Sequence, residues 1–205
     1  ELLLHHDVRP TLILCSPLGR ARETAELVAA LLGGVRTCIE WRLTERSYGA
    51  LTGRTKLAVI RQYGEAQFRQ WRRSLDQAPP PMPAEQLSSL RAQPVFRGYP
   101  PEAVQPTESL ADVIRRVRPL PTTLLHPALR SGDVLVVAHG NSLRALVATI
   151  DHLDAPGLEK LNIPSAQPLV YRVDPVGEPV AGSGAYLDPP AAEAAAEALA
   201  REGGT

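Results

Sequence analysis

The sequence predicts an α/β protein built in three layers, α/β/α, around a mostly parallel central sheet, and three observations carry that expectation. Two strand-length apolar runs, TLILC at Thr11–Cys15 and VLVVA just before His139, each pass through a tight polar turn into a helical pattern. Strands that are apolar on both faces and alternate with helices belong to parallel sheets covered on both sides. The length, 205 residues with 44% hydrophobic content, suits one domain spanning 1–205.

The elements follow in order. The chain opens on Glu1 and enters on ELLLHH, the end of a helix, so a beginning is expected upstream. After TLILC, Ser16 and Pro17 serve as cap and first helical position for a helix that stops at Gly33 and Gly34. Arg36 to Ile39 is a weak second strand, and WRLTERSYGALTG has too little periodicity for an element and reads as an ordered loop. Thr55–Tyr63 and Glu65–Arg73 are two short helices split at Gly64. The prolines of QAPPPMPAEQ then break regular structure, and Ala78 to Gln105 reads as loop. Thr107 caps a helix running to about Leu125, and DVLVVAHGNSLRALVATI repeats the strand, turn and helix of the first unit. Leu169–Val173, LVYRV, supplies another strand. The Ala-rich end is helical at first and frayed at its terminus.

Composition narrows the function. Twenty-two basic against 22 acidic residues give a net charge of +0, which disfavours a general nucleic-acid binder. No apolar run is long enough to span a membrane. Two cysteines, Cys15 and Cys38, make neither a disulfide framework nor a zinc pattern, and the reading is a reducing cytoplasm. Cys15 reads as core. His5, His6, His126 and His152 lack metal-ligand spacing, so no metal site is expected.

In parallel sheets ligands bind beyond the carboxyl ends of the strands. There stand Ser16 and Arg20 after the first strand, and His139, Gly140 and Asn141 after VLVVA. His139 with the following helix start reads equally as a phosphate site or as a histidine satisfying its own hydrogen bonds. The loop ERSYG gathers Glu45, Arg46, Ser47 and Tyr48, and a carboxylate among cations can shuttle protons. Arg20, Arg46, Lys56, Arg72 and Arg73 each read individually as solvated cations. Taken together, in a neutral protein, they point to a multiply charged anion if they converge.

The strings SPLGRARET, WRLTERSYGALTGRTK, YGEAQFRQWRRS, TESL, VVAHGNSLRALV and LNIPSAQPLVY resemble, in order and over nearly the whole chain, the cofactor-dependent phosphoglycerate mutases of the histidine phosphatase superfamily. The resemblance implies a phosphoglycerate mutase-like fold in which 78–107 is an insertion. It implies Glu45 as general acid/base, His139 as the second active-site histidine and Arg20 as phosphate clamp. Arg46, Ser47, Tyr48, Lys56, Arg72 and Arg73 then hold the substrate's carboxylate and phosphates, and Gly140 and Asn141 contact the phosphoryl group. The implied reaction interconverts 2-phosphoglycerate and 3-phosphoglycerate through a phosphohistidine, in glycolysis and gluconeogenesis. Its cofactor is 2,3-bisphosphoglycerate, the priming phosphate donor, with no metal. The implied partners are the small-molecule phosphoglycerates and further copies of the chain in a dimer or tetramer, with no nucleic acid and no membrane.

Three departures qualify the match. The family's nucleophile lies in an Arg-His-Gly motif on a first strand, and no such tripeptide occurs in these 205 residues. Ser47 stands where a histidine is usual, and Ala166 where a glycine is common. Phosphohistidine chemistry requires the nucleophile, so residues 1–205 by themselves are expected to be inactive. An active enzyme with its first unit supplied upstream, a truncated inactive relative that binds phospholigands or a partner, and a histidine-type phosphomonoesterase all stay open.

Overall fold

The computed structural model describes residues 1–201. In chain order it contains α1 (Leu2–His5), β1 (Leu12–Cys15), α2 (Gly19–Leu31), β2 (Arg36–Ile39), α3 (Lys56–Tyr63), α4 (Glu65–Arg73), α5 (Ala84–Arg91), α6 (Leu110–Val117), α7 (His126–Leu129), β3 (Val134–Val137), α8 (Gly140–Ile150), α9 (Ala155–Lys160), β4 (Leu169–Val170), β5 (Ala185–Tyr186) and α10 (Pro189–Arg201). The loop expected at WRLTERSYGALTG carries two 3₁₀ turns, Trp41–Leu43 and Gly49–Leu51.

β1 is the middle strand of a parallel sheet in the order β2-β1-β3, with Cys15 opposite Ile39 on one side and Val137 on the other. Successive side chains of a strand point to opposite faces, and β1 uses that period to build two cores. Ile13 and Cys15 pack with Ala21 and Ala25 of α2 on one face. Leu14 packs with Leu110, Val113 and Val117 of α6 and Ala145 and Leu146 of α8 on the other. These are the three layers that the apolar strands foretold. The register also brings the ends of β1 and β3 side by side: the Ser16 N–H donates to Val137 O at 3.1 Å.

Four expectations are corrected. α2 begins at Gly19, with Leu18 as its N-cap, because the Ser16 hydroxyl accepts the Leu18 N–H (3.3 Å) and turns the chain before the helix starts. The stretch 78–105 is not all loop: AEQLSSLR forms α5, started by Pro83, whose fixed φ suits a helix entry, and two 3₁₀ turns follow at Pro94–Phe96 and Pro101–Ala103. Ser109 rather than Thr107 caps α6, in a reciprocal box with Asp112, while the Thr107 hydroxyl donates to Pro79 O at 2.7 Å. That helix ends at Val117, since Pro119 and Pro121 deny it N–H donors, and a π-type turn at Pro121–Leu125 leads into α7. Finally, LVYRV contributes only Leu169 and Val170 to a strand, and they pair antiparallel with β5 outside the main sheet. The expected fraying at 202–205 lies outside the described residues.

Leu110 is fully buried between α6 and α8, so Leu110→Ala should cost about 2–5 kcal/mol of unfolding free energy in urea titration. Leu27→Ala, on the 68% exposed side of α2, should stay within about 0.5 kcal/mol of the parent.

Candidate active site

Residues that follow β1, together with the loop after β2, line a cavity of about 440 Å³. Arg20, Glu45, Arg46, Ser47, Tyr48, Lys56 and Arg72 line it together, so seven of the residues singled out in sequence converge. Leu51, Val59, Phe68 and Met82 supply apolar wall, and α5 and the turns after it contribute Leu90, Phe96 and Val104.

Arg46 is the most unusual member. It is 2% exposed, its guanidinium lies 4.5 Å over the Tyr48 ring, and Nη2 donates to Trp71 O at 2.5 Å. Its Nε and Nη1 are buried with no hydrogen-bond partner among the described residues. A buried cation whose donors are unmet is costly, and a ligand anion would offset that cost. A second guanidinium is buried in the same region. Arg144, fully buried in α8, donates to Leu158 O at 2.8 Å, and burial together with the neighbouring cations Arg73 and Arg46 pulls its pKa down to about 10. The mutual repulsion of these cations is the electrostatic signature of an anion site.

Glu45 is held by one oxygen: Oε1 accepts the Arg46 main-chain N–H at 2.8 Å and Nδ2 of Asn141 at 3.2 Å. The same Asn141 amide donates to the Tyr48 hydroxyl at 3.0 Å. Asn141 sits in the first turn of α8, so this side chain joins the helix start after β3 to the loop after β2. Neither His139, Gly140 nor Asn141 lines the cavity itself; they flank it through these bonds.

His139 is 5% exposed and is the N-cap residue of α8. Its Nε2 lies 2.8 Å from Ser16 Oγ, and its backbone N–H donates to Ser142 Oγ at 3.2 Å. Burial first, then the positive charges of Arg20 and Arg116, push its pKa down to about 4, so the imidazole is neutral at pH 7. Cys15, whose thiol burial raises to about pKa 11, is core as expected.

Arg73 departs from the expected set. Its Nη1 donates to Glu159 O and Asn162 Oδ1, both at 3.2 Å, which turns the guanidinium to the end of α9 and away from the cavity lining. Its neighbour Arg72 faces in, because successive residues on a helix point about 100° apart. Sequence reading missed Glu108 and Arg116, which brace the loop from outside. No sequence signal marked them: an arginine beside Val117 on an amphipathic helix reads as part of an ordinary charged face.

The family model described as "Histidine phosphatase superfamily (branch 1)" matches residues 3–98 and 92–180. The chain is 42% identical over 206 residues to a 2,3-bisphosphoglycerate-dependent phosphoglycerate mutase of Thermobifida fusca, covering 99% of this chain and 83% of that protein. To the protein of the same name from Rhodococcus jostii it is 42% identical over 207 residues, covering 100% and 82%. Among solved structures, a mycobacterial glucosyl-3-phosphoglycerate phosphatase complexed with VO3 superposes with TM-score 0.63 at 23% identity, over 90% of this chain and 78% of that one. A structure titled "Mycobacterial hydrolase 1" gives 0.58 at 26% identity, over 78% and 68%.

The low pKa of His139 has a sign that can be measured. Unfolded histidine titrates near 6.5 and the folded one near 4, so between those values the unfolded chain binds more protons and stability falls as pH falls. This one group should make the protein about 3 kcal/mol less stable at pH 4 than at pH 7, and His139→Gln should remove that share of the slope in urea titrations across the window.

Proposed function

Because this chain belongs to branch 1 of the histidine phosphatase superfamily and is an enzyme of the phosphoglycerate mutase type, we propose that the cationic cavity is where it binds phosphoglycerates. The enzyme interconverts 2-phosphoglycerate and 3-phosphoglycerate in a 2,3-bisphosphoglycerate-dependent manner, a step of glycolysis and gluconeogenesis. Hydrolysis of a phosphomonoester, the competing reading, is not favoured: the relatives matched over 99% of the chain are mutases, whereas the phosphatase likeness at 23% identity speaks for the fold.

The observation that carries the proposal is the buried Arg46 with two unmet donors in a wall shared with Arg20, Lys56 and Arg72. Five cations, these four and Arg54, on a cavity of about 440 Å³ fit a small molecule carrying two phosphates and a carboxylate. When bound, 2,3-bisphosphoglycerate supplies the phosphoryl group that primes the enzyme. Arg46 Nε and Nη1 donate to an anionic oxygen, and Arg20, Lys56 and Arg72 complete the neutralisation. These cations take the role that metal ions play in other phosphoryl transfers, so the proposed chemistry runs without a metal. Gly140 and Asn141 open α8, whose free N–H groups and positive dipole end add to the same field.

Glu45 holds or takes the proton of the substrate hydroxyl, kept in line by Asn141. Ser47 and Tyr48 shape the floor beside it. His139, the N-cap of α8, stabilises the transferring phosphoryl group by hydrogen bonding. Arg73 supports the substrate side from outside, through α9, rather than by contact. These 205 residues hold no Arg-His-Gly motif, and the chain spans 83% of the length of the Thermobifida relative, so the phosphohistidine is assigned to none of the residues described. One domain over 1–205 with 78–107 as its insertion belongs to the same proposal. So do self-assembly as a dimer or tetramer, for which the exposed Leu27 and Leu31 of α2 offer apolar surface, and a cytoplasmic location. No helix among the described residues is long and apolar enough to cross a membrane.

Two measurements test this. Calorimetric titration with 2,3-bisphosphoglycerate should show Arg46→Met binding roughly 10- to 100-fold more weakly, as loss of charged hydrogen bonds worth about 1.5–3 kcal/mol requires; unchanged affinity would remove Arg46 from the site. In the polypeptide as its gene encodes it, Glu45→Gln should lower mutase turnover about 10²- to 10⁴-fold with far less change in affinity. Near-normal turnover would take Glu45 out of the mechanism.

A further inference from the structure

The loop that carries Glu45 and Arg46 makes few hydrogen bonds within itself, yet it holds both side chains in place. Its restraint comes from an ion pair on α6 and the turn before it. Glu108 is buried and Arg116 nearly so, with side chains 5% and 10% exposed. Arg116 Nε donates to Glu108 Oε1 at 2.8 Å and Nη2 to Oε2 at 3.2 Å. The guanidinium also reaches across to the loop: Nη2 donates to Thr44 O at 2.8 Å, and Nη1 donates to Arg42 O. From the other partner, Glu108 Oε2 accepts the Ser47 N–H at 2.9 Å, and the Glu108 N–H donates to Ser47 O at 2.9 Å. Main-chain groups at 42, 44 and 47 therefore all end on one pair, and residues 45 and 46 lie between the second and third of those points.

We propose that Glu108 and Arg116 are positioning residues, a buried pair that clamps the main chain at Arg42, Thr44 and Ser47 and so fixes where Glu45 and Arg46 stand in the cavity. The proposal rests on the anion-binding reading above. Both Glu108 oxygens are engaged by Arg116 or Ser47, so although Glu108 borders the cavity its role is exercised through the loop. A pair of this kind is specific to its geometry. An arginine can bind a carboxylate side-on and still direct its remaining N–H groups to carbonyls, which a lysine cannot do with one ammonium.

The sign of the effect separates positioning from simple electrostatics. Glu108 is an anion beside a site for anions, so removing its charge should tighten 2,3-bisphosphoglycerate binding if charge alone matters. Positioning demands the opposite, because Glu108→Gln puts an NH2 donor where Oε1 accepts Arg116 Nε and so breaks the side-on pair. Likewise Arg116→Lys keeps the charge and should be neutral electrostatically, whereas positioning predicts weaker binding from the lost carbonyl contacts. The experiment is calorimetric titration of the polypeptide, as its gene encodes it, with 2,3-bisphosphoglycerate for both variants and for Arg115→Met on the exposed side of α6. Both pair variants should raise Kd at least tenfold at unchanged stoichiometry, and Arg115→Met should match the parent. Unchanged or tighter binding in the pair variants overturns the proposal. A fall in stoichiometry with unchanged Kd also overturns it, since that is the mark of lost folded protein rather than a displaced loop. Should Glu108→Gln not fold, Arg116→Lys decides by the same criteria. A parent protein that binds no bisphosphoglycerate would remove the site itself, and this proposal with it, whereas a binding parent with indifferent variants removes the positioning role alone.

Discussion

A stretch of main chain with almost no regular hydrogen bonding of its own, from Arg42 to Gly49, bears Glu45 and Arg46, the side chains to which the proposed chemistry is assigned. Such a segment holds still only if groups elsewhere supply its partners. Here they come from three directions. Glu40 receives both the main-chain N–H and the guanidinium of Arg42, α6 and its leading turn clamp Arg42, Thr44 and Ser47, and Asn141 of α8 ties Glu45 and Tyr48. The packing of α6 on α8 through Leu110, Val113 and Ala145 then becomes a functional matter. It keeps two of these three anchors in a fixed relation, so strain in the apolar core is transmitted to the carboxylate and guanidinium at the cavity.

The same arrangement explains how a neutral protein sustains a concentrated positive site. Arg46 and Arg144 lie at or below 2% exposure, and Arg73 and Arg144 both have lowered pKa values because burial and cationic neighbours oppose their charge. Folding brings these charges together against their mutual repulsion. The apolar packing offsets that cost, and an arriving anion relieves it. His139 is drawn into this field as well: its neutrality follows from burial and from Arg20 and Arg116.

Local signals in the sequence and contacts made at a distance divide what could be read from what could not. β1, β3 and the two helices that follow them were legible because apolar runs bounded by turn residues leave little choice. The convergence of Arg20, Arg46, Lys56 and Arg72 was legible only as a surplus of cations near strand ends, and through likeness to the mutase strings. The burial of Arg46 was not, since a guanidinium's surroundings depend on chain segments 25 residues away, as with Arg46 and Trp71. AEQLSSLR escaped notice because prolines on its flank suggested loop, although Pro83 serves as a helix entry. LVYRV was legible as a strand but not as to its length or its partner, because an apolar run does not name what it pairs with, and β5 lies 16 residues further on. Glu108 and Arg116 carried no sequence pattern that distinguishes a buried clamp from an ordinary charged helix face.

Segment 78–107, proposed above as an insertion, has both of its ends at one waist. Pro80 O accepts the Ala50 N–H at 2.8 Å, Thr107 reaches Pro79 O, and Glu108 pairs with Ser47. Gly49 makes room for this: a side chain there would lie 2.1 Å from Pro80 O. The two ends of the insertion therefore sit together, and the loop they close can change length at small entropic expense, about 0.6 kcal/mol for each doubling. The roof over the cavity is in this sense an exchangeable part. Leu90, Phe96 and Val104, which it contributes to the wall, can be replaced or enlarged by evolution or by design while the waist keeps Glu45 and Arg46 where they are, so the substrate's size and the reaction's chemistry are free to vary separately.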